Sequence, residues 1–168
     1  MAMLTRAEAL EILRSSRART EALIEGLAEA QLTTRASLGG GNWSIKDLIG
    51  HLAGWEELAL AQITAKRPPH LTGTFSSADE LNAAEIERKR NWSLAKVRKD
   101  AERVRTALLQ EIESMDDERW MSKIQFGKGR SALGLVLART LVGGRHGPFA
   151  HDLAHFYDLE RSVRSLRG

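Results

Sequence analysis

The chain contains no cysteine among its 168 residues. Disulfide bonds, a thiolate nucleophile and a sulfur-ligated metal are therefore excluded. It also lacks a run of about 18 apolar residues, which a membrane-spanning helix would need. The N-terminal stretch is interrupted by acidic residues, which argues against a signal peptide. Together these absences predict a cytoplasmic protein with no membrane segment.

The chain also lacks an obvious excess of one charge. It has 25 basic and 22 acidic residues, a net charge of +3 and a pI near 9.5. The densest basic stretches, 88–90 and 96–105, have acidic residues within or beside them. A site for a polyanion normally needs a patch of one sign. Solvated helix faces are therefore favoured, and a nucleic-acid partner is disfavoured.

Helical periodicity and helix start signals dominate the chain. Capping boxes begin at Thr5 and Ser44, Ser77 is a further N-cap, and Gly147 followed by Pro148 suits the start of a last helix. The pattern predicts helices over about 7–30, 44–66, 78–90, 94–115, 131–142 and 148–166. Loops are predicted at 39–41 and 123–130, the second with an extended conformation around Ile124 and Phe126 as an alternative, and a crossover is predicted at 70–77.

These elements predict an all-α fold, a four-helix bundle with a long crossover between its second and third helices. The cleanest apolar stripe runs from Leu94 to Met115, with the spacing of a bundle seam. No alternating strand pattern and no internal repeat is present. A single domain over residues 1–168 is expected.

Three histidines are the best candidates for chemistry. His151 and His155 are four residues apart on the predicted last helix, so both imidazoles face one side. Taken alone, two histidines at that spacing are more often a partly exposed pair with no metal. His51, however, shares a helical stripe with Leu48 and Trp55 that should face the interior. A buried imidazole needs a partner, and facing helices are where bundles build metal sites.

The sequence therefore predicts a metal site formed by His51, His151 and His155. Three neutral imidazoles suit Zn²⁺, Ni²⁺ or a related divalent ion and leave positions open for water or substrate. Other residues carry weaker interpretations. His146 is a possible fourth ligand, and His70 is interpreted as a surface residue. Glu56 is either an acceptor for a ligand imidazole or, more simply, a solvated position.

The tryptophans Trp43 and Trp55 are interpreted first as core anchors. Trp55 lies one turn beyond His51, so it is also a candidate wall of the metal site.

The stretch from Asn42 to Glu56, Asn-Trp-Ser-Ile-Lys-Asp-Leu-Ile-Gly-His-Leu-Ala-Gly-Trp-Glu, resembles the second-helix signature of the DinB-like superfamily. The His-xxx-His pair at His151 and His155 resembles its last-helix signature. Residues 81–93 and the following helix and turn, 97–120, look more like the ClbS/DfsB branch. The stretch 143–148 is richer in glycine than that pattern, which predicts a looser presentation of His151.

The resemblance implies a four-helix bundle whose histidine triad, His51, His151 and His155, binds a divalent metal, commonly nickel or zinc. The superfamily includes transferases and isomerases that use small cellular thiols, and ClbS-like proteins that inactivate an electrophilic genotoxin. Some members lack the histidines, so metal binding belongs to the triad rather than to the fold.

Two functions from different classes follow. The first is a metal-dependent hydrolase or thiol-dependent transferase acting on an electrophilic small molecule, with any thiol supplied as a cosubstrate. The alternative is a non-enzymatic protein that binds or sequesters a small molecule, as in the ClbS/DfsB type. Bundles of this size often pair through an exposed helix face, so a homodimer is an alternative to a monomer.

Overall fold

The computed structural model describes residues 3–35, 38, 42–71 and 77–168. Within these ranges the chain forms nine α-helices and one β-hairpin. The helices are α1 (Arg6–Ile24), α2 (Glu29–Thr33), α3 (Ile45–Thr64), α4 (Ala78–Lys89), α5 (Leu94–Ser114), α6 (Asp117–Met121), α7 (Leu133–Thr140), α8 (His151–Ala154) and α9 (Phe156–Arg167). The strands are β1 (Lys123–Phe126) and β2 (Gly129–Ala132). The all-α fold class is confirmed, with this small hairpin as an addition.

The start signals in the sequence correspond to the observed helix starts. Thr5 and Ser44 close capping boxes at α1 and α3, because each hydroxyl accepts from a backbone N–H three residues on. Ser77 and Ser93 also cap α4 and α5 by accepting from a backbone N–H three residues on, but without the reciprocal bond of a capping box. These side chains satisfy backbone donors that a helix start leaves open.

The helices pack around α3. It lies against α5 and α4, while α1 contacts α5, α8 and α9. The predicted seam of α5 is buried along its whole length: Leu94, Val97, Ala101, Val104, Leu108, Ile112 and Met115. At a transfer free energy of ~25 cal/mol per Å², burial of this stripe is the main force that fixes α5 in the bundle. Among the described residues, no helix is long and apolar enough to cross a membrane.

The first predicted helix is shorter than expected. It ends at Ile24, because Gly26 adopts a φ of 77° that turns the chain, and α2 follows as a separate piece. The predicted loop 39–41 and most of the predicted crossover, residues 72–76, lie outside the described residues.

The segment 123–130 belongs to a hairpin rather than a loop, and the extended alternative around Ile124 and Phe126 corresponds to β1. Lys123 pairs with Ala132 and Phe126 with Gly129, and Gly127 begins the two-residue turn with a φ of 59°. Ile124 packs against the core, which anchors the hairpin to the bundle. The ladder is too short for its alternation to stand out in the sequence.

The last helix starts later than predicted and is interrupted. Gly147 and Pro148 do not begin it, because Phe149 has a φ of 60° and is fully buried against Trp120. The helix begins at His151 and breaks at His155, which ends α8 and precedes α9.

The glycine-rich connection before α8 is tight rather than loose. The Gly143 amide donates to the carbonyl of Gly147 at 2.7 Å. A Cβ on Gly143 would lie 2.2 Å from the carbonyl oxygen of Ala150. Only glycine therefore permits this approach, and it fixes where α8 begins.

Candidate metal centre

Two helices bring the three histidines together. His51 projects from the middle of α3, while His151 begins α8 and His155 ends it. One potential ligand atom from each lies within 4.8 Å of the others. The Nε2 atoms of His51 and His155 are 3.1 Å apart. Among the described residues, this is the one group of three or more potential ligands close enough to hold a metal ion.

The interior of the bundle surrounds this histidine cluster, defined as His51, His151 and His155. His51 is only 2% exposed, and the other two are half-buried. The Trp43 ring centroid lies 4.9 Å from that of His51, and the Trp55 centroid lies 5.7 Å from that of His151. Both tryptophans therefore form walls of the cluster. The Trp55 indole is fixed in turn, because its Nε1 donates to Asn82 Oδ1 at 2.9 Å.

Burial keeps the three imidazoles neutral. Desolvation lowers the pKa of His151 to about 4, and the nearby His155 contributes to that decrease. Desolvation also lowers the pKa of His51 well below its ordinary value, with His151, His155 and the Lys89 ammonium as further causes. The pKa of His155 is lowered mainly by desolvation. At neutral pH all three rings thus have a lone pair available for a metal ion.

The cluster also contains nitrogens with no partner. The Nδ1 atoms of His51 and His151 are buried and make no hydrogen bond. An unsatisfied buried polar atom costs about 1–3 kcal/mol. The geometric fit to an ion rests on the Nε2 atoms of His51 and His155 instead, since one ion cannot bind both nitrogens of the same ring. Two imidazole nitrogens on one tetrahedral Zn²⁺ with ordinary bond lengths are about 3.3 Å apart, close to the observed separation of His51 and His155. The residues present therefore fit a divalent ion.

Glu56 has a role that its sequence position did not reveal. It is 2% exposed, so its interpretation as a solvated position is wrong. Its Oε1 accepts from Arg17 at 2.8 Å and from Arg105, and it does not orient an imidazole. Asp152, next to His151, accepts from the same Arg17. We call Arg17, Glu56, Arg105 and Asp152 the ionic cluster.

The ionic cluster joins four helices beside the histidines. Arg17 lies on α1, Glu56 on α3, Arg105 on α5 and Asp152 on α8. Arg105 also donates to the carbonyl of Leu13. Because Asp152 directly follows His151, its contact with Arg17 holds the start of α8 against α1. Sequence reasoning missed this cluster; its single signal was charged residues on otherwise apolar helix faces.

The remaining histidines lie apart from the cluster. His146 is exposed on a short 3₁₀ turn over Gly144–His146 and is not one of the grouped ligands. His70 is half-buried rather than on the surface, with its Nε2 2.9 Å from Glu57 Oε2. Neither contributes to the candidate centre.

A separate groove of about 920 Å³ lies between α1, α3 and α5. Its lining residues include the apolar Leu48 and Leu52 and charged side chains such as Glu21 and Arg98. None of the three histidines lines it, although Arg17 of the ionic cluster does. The histidine cluster and this groove therefore share no residue.

Comparison with known proteins identifies the class of the chain. The model of the DinB superfamily matches residues 12–142, so the chain belongs to the DinB superfamily. No curated protein matches it by sequence.

Solved structures share the fold. An uncharacterised protein from Escherichia coli UTI89 superposes with a TM-score of 0.76 at 14% identity, over 97% of this chain and 95% of that one. An uncharacterised protein from Clostridium difficile 630 gives 0.70 at 11% identity, over 99% and 98%. A mycothiol-dependent maleylpyruvate isomerase gives 0.65 at 18% identity, over 95% of this chain and 63% of that chain. At these identities the similarity concerns the fold.

Proposed function

We propose that this chain is a metal-dependent enzyme in which His51, His151 and His155 hold one divalent ion, nickel or zinc. Its substrate is an electrophilic small molecule, and its nucleophile is water or a low-molecular-weight thiol. The observation that carries the proposal is the convergence of three neutral imidazoles from two helices, one of them buried and two half-buried. Three protein ligands leave open positions, which is typical of catalytic rather than structural sites.

The metal-binding residues have the properties that such an ion requires. Their lowered pKa values mean that the ion does not have to displace protons from the rings near neutral pH. Trp43 and Trp55 exclude bulk water from two sides, which strengthens electrostatic interactions within the site. When bound, the ion would supply Lewis acidity that lowers the pKa of a coordinated water or thiol toward ~7.

The nucleophile comes from outside the chain if it is a thiol, because the sequence has no cysteine. The fold is shared with an isomerase that depends on mycothiol, which supports a small thiol as cosubstrate. With an aryl chloride as the electrophile, the thiol sulfur would form a bond to the electrophilic carbon while the carbon–chlorine bond breaks, and chloride and the thiol proton would be released to solvent. Water in the same position would make the protein a hydrolase.

The proposal is tested first by metal analysis of protein purified without an affinity tag, because a polyhistidine tag binds metal itself. We expect about one nickel or zinc ion per chain in the wild type. The His51→Ala variant should lose the ion, because only the ligands of α8 and its end remain. The His146→Ala variant is the matched control, since it removes an exposed histidine outside the cluster.

Equal occupancy in the wild type and in His51→Ala would contradict the proposal. A variant that merely unfolds is recognised by circular dichroism, and His51→Gln then repeats the test with a smaller change in packing. The proposed enzymatic activity is tested by incubating the metal-loaded protein with 1-chloro-2,4-dinitrobenzene and a panel of small thiols. Thiol consumption that depends on the ion supports transfer; its absence with every thiol and with water contradicts enzymatic activity on this electrophile class.

The groove supports a second candidate, a protein that binds or sequesters a small molecule without turnover. Its volume and its apolar lining residues, such as Leu48 and Leu52, suit a compound with a large apolar part. Tryptophan fluorescence titrated with candidate compounds distinguishes the two functions. Binding that survives chelation, with no product formed, favours sequestration, whereas binding that is lost with the ion favours the metal centre.

A further inference from the structure

The charges of the chain are segregated in one segment. Between Glu118 and Asp152, residues 119–151 contain six lysines and arginines and no acidic residue. The rest of the chain then has 19 basic and 22 acidic residues, from totals of 25 and 22. The net charge of +3 therefore combines +6 on this basic segment with −3 elsewhere. The interspersed pattern inferred for the whole sequence does not hold here.

The cations of the basic segment are exposed and form no ion pairs among the described residues. All six are on the surface: Arg119, Lys123, Lys128, Arg130, Arg139 and Arg145. None takes part in an ion pair among the described residues. Their hydrogen bonds go to neutral groups; Arg130, for example, donates to the carbonyl of Lys123 at 2.7 Å. A one-signed, unpaired surface of this kind attracts anions.

The hairpin arranges several of these cations on one face. Gln125 is paired with Arg130, and Lys123 lies two residues before Gln125. Because alternate residues share a face and paired residues lie side by side, Lys123, Gln125 and Arg130 lie together. This face is opposite Ile124, which packs on the core. Lys128 is in the turn at the tip. The outward face is therefore polar and cationic.

A further cation lies on the other side of the hairpin. Arg139 of α7 lies over the Phe126 ring, with its guanidinium carbon 6.0 Å from the ring centroid. Its Nη1 is 3.5 Å from the Ser131 hydroxyl. Phe126 and Ser131 share the face of Ile124, so Arg139 is not part of the outward face, which has Lys123 and Arg130 with Lys128 at the tip.

We propose that the outward face of this hairpin binds the phosphate backbone of double-stranded DNA without reading its sequence. A two-stranded ribbon fits the major groove, and the cations displace counterions from closely spaced phosphates. The outward strand face carries lysine, glutamine and arginine and no large apolar side chain, which favours a polyanion over insertion into lipid. The proposal is independent of the metal centre.

The test is binding of the full chain to a labelled 20-base-pair duplex of arbitrary sequence, followed by fluorescence anisotropy at several salt concentrations. For the three cations Lys123, Lys128 and Arg130, log affinity against log salt should fall with a slope of about −3. The K128Q/R130Q variant should reduce that slope by about 2, since each lost contact removes about 0.9. Protein treated with a chelator should bind the duplex equally well.

The matched control is R98Q/K99Q, which removes two exposed cations from α5, where acidic residues are interspersed. It has the same net charge as K128Q/R130Q but should keep the wild-type slope. Equal losses in both variants would show an effect of net charge alone and overturn the proposal. So would an unchanged slope in K128Q/R130Q, or no retention of the duplex at low salt. K123Q/K128Q repeats the test while keeping Arg130 and its hydrogen bond.

The last measurement is binding of the protein to vesicles that contain phosphatidylglycerol. Binding to these vesicles without binding to the duplex would overturn the proposal in favour of a lipid surface. Preference for the duplex at equal salt supports it.

Discussion

The histidine cluster and the ionic cluster both lie at the start of α8, but they are held together differently. In the ionic cluster, two guanidinium groups face two carboxylates across four helices, although Glu56 Oε2 is left without a hydrogen bond. In the histidine cluster, three imidazoles converge with no opposite charge among them, and the Nδ1 atoms of His51 and His151 have no partner. Opposite charges that pair within a cluster serve the fold. Converging nitrogens without such partners are suited to a ligand that the fold itself does not supply.

The difference concerns charge as well as hydrogen bonding. The ionic cluster keeps formal charges in the interior, where each carboxylate is stabilised by a guanidinium group. Burial raises the pKa of Glu56, and this effect outweighs the opposite effect of Arg17 and Arg105. The histidines avoid that problem by being neutral. We therefore expect the ionic cluster to dominate the stability of the metal-free protein, and the histidine cluster to dominate its response to metal and pH.

The largest expected effect comes from breaking the ionic cluster. Glu56→Ala leaves Arg17 and Arg105 with one carboxylate between them, and an uncompensated buried charge costs about 3–5 kcal/mol. Urea unfolding measures this loss. Glu87→Ala is the control, because Glu87 is exposed and pairs with an exposed Arg90. If the two variants lost similar stability, the ionic cluster would not have the structural role assigned to it.

The second effect concerns acidification of the metal-free protein. The folded-state pKa of His151 is about 4, below its ordinary value of 6.5, so the unfolded chain binds a proton first as pH falls. Stability is therefore full above pH 6.5 and decreases down to pH 4, by roughly 3 kcal/mol at 1.36 kcal/mol per pKa unit. Below that window this histidine causes no further loss.

Unfolding of the wild type and of His151→Phe, each measured from pH 7.5 to pH 4.5, checks this prediction. The variant should show a flatter profile, because the difference between the two curves isolates His151 from the carboxyl groups that titrate nearby. Parallel curves would mean that this ring is protonated as easily in the folded protein as in the unfolded chain.

The smallest loss of stability is expected for an arginine–aspartate ion pair at the surface. Arg161 and Asp158 are 3.1 Å apart, with side chains 63% and 48% exposed, whereas those of Arg17 and Asp152 are 15% and 2% exposed. Asp158→Asn should cost less than about 1 kcal/mol, because water and salt screen the pair. Thermal unfolding in low and high salt measures it. A loss of stability as large as that of Glu56→Ala would show that burial does not explain the difference between the buried and the exposed ion pairs.

The sequence predicted those parts of the molecule that depend on nearby residues. The caps Thr5 and Ser44 were predicted because each acts within its own first turn. The DinB-like bundle followed from apolar spacing and from motifs along α3. The inward direction of His51 followed from its stripe on that helix, and the resemblance placed it opposite His151 and His155.

The features that the sequence did not predict depend on contacts between distant parts of the chain. Glu56 was interpreted as solvated because helical spacing shows which face a residue is on, but not which cations other helices bring to it. Arg17 is 39 residues before it and Arg105 is 49 after it. The late start of the last helix likewise follows the burial of Phe149 against Trp120, which is a tertiary contact. The basic segment, by contrast, was visible in the sequence once charges were counted by region.

The tight connection at Gly143 has a consequence for genetic variation. The position has no reactive group, yet the carbonyl of Ala150 occupies the space where any other residue would place its first carbon. Adding a single methyl group there would displace the start of α8, and with it two of the three imidazoles. Variants that inactivate the protein are therefore expected at a residue that a search for reactive side chains would pass over.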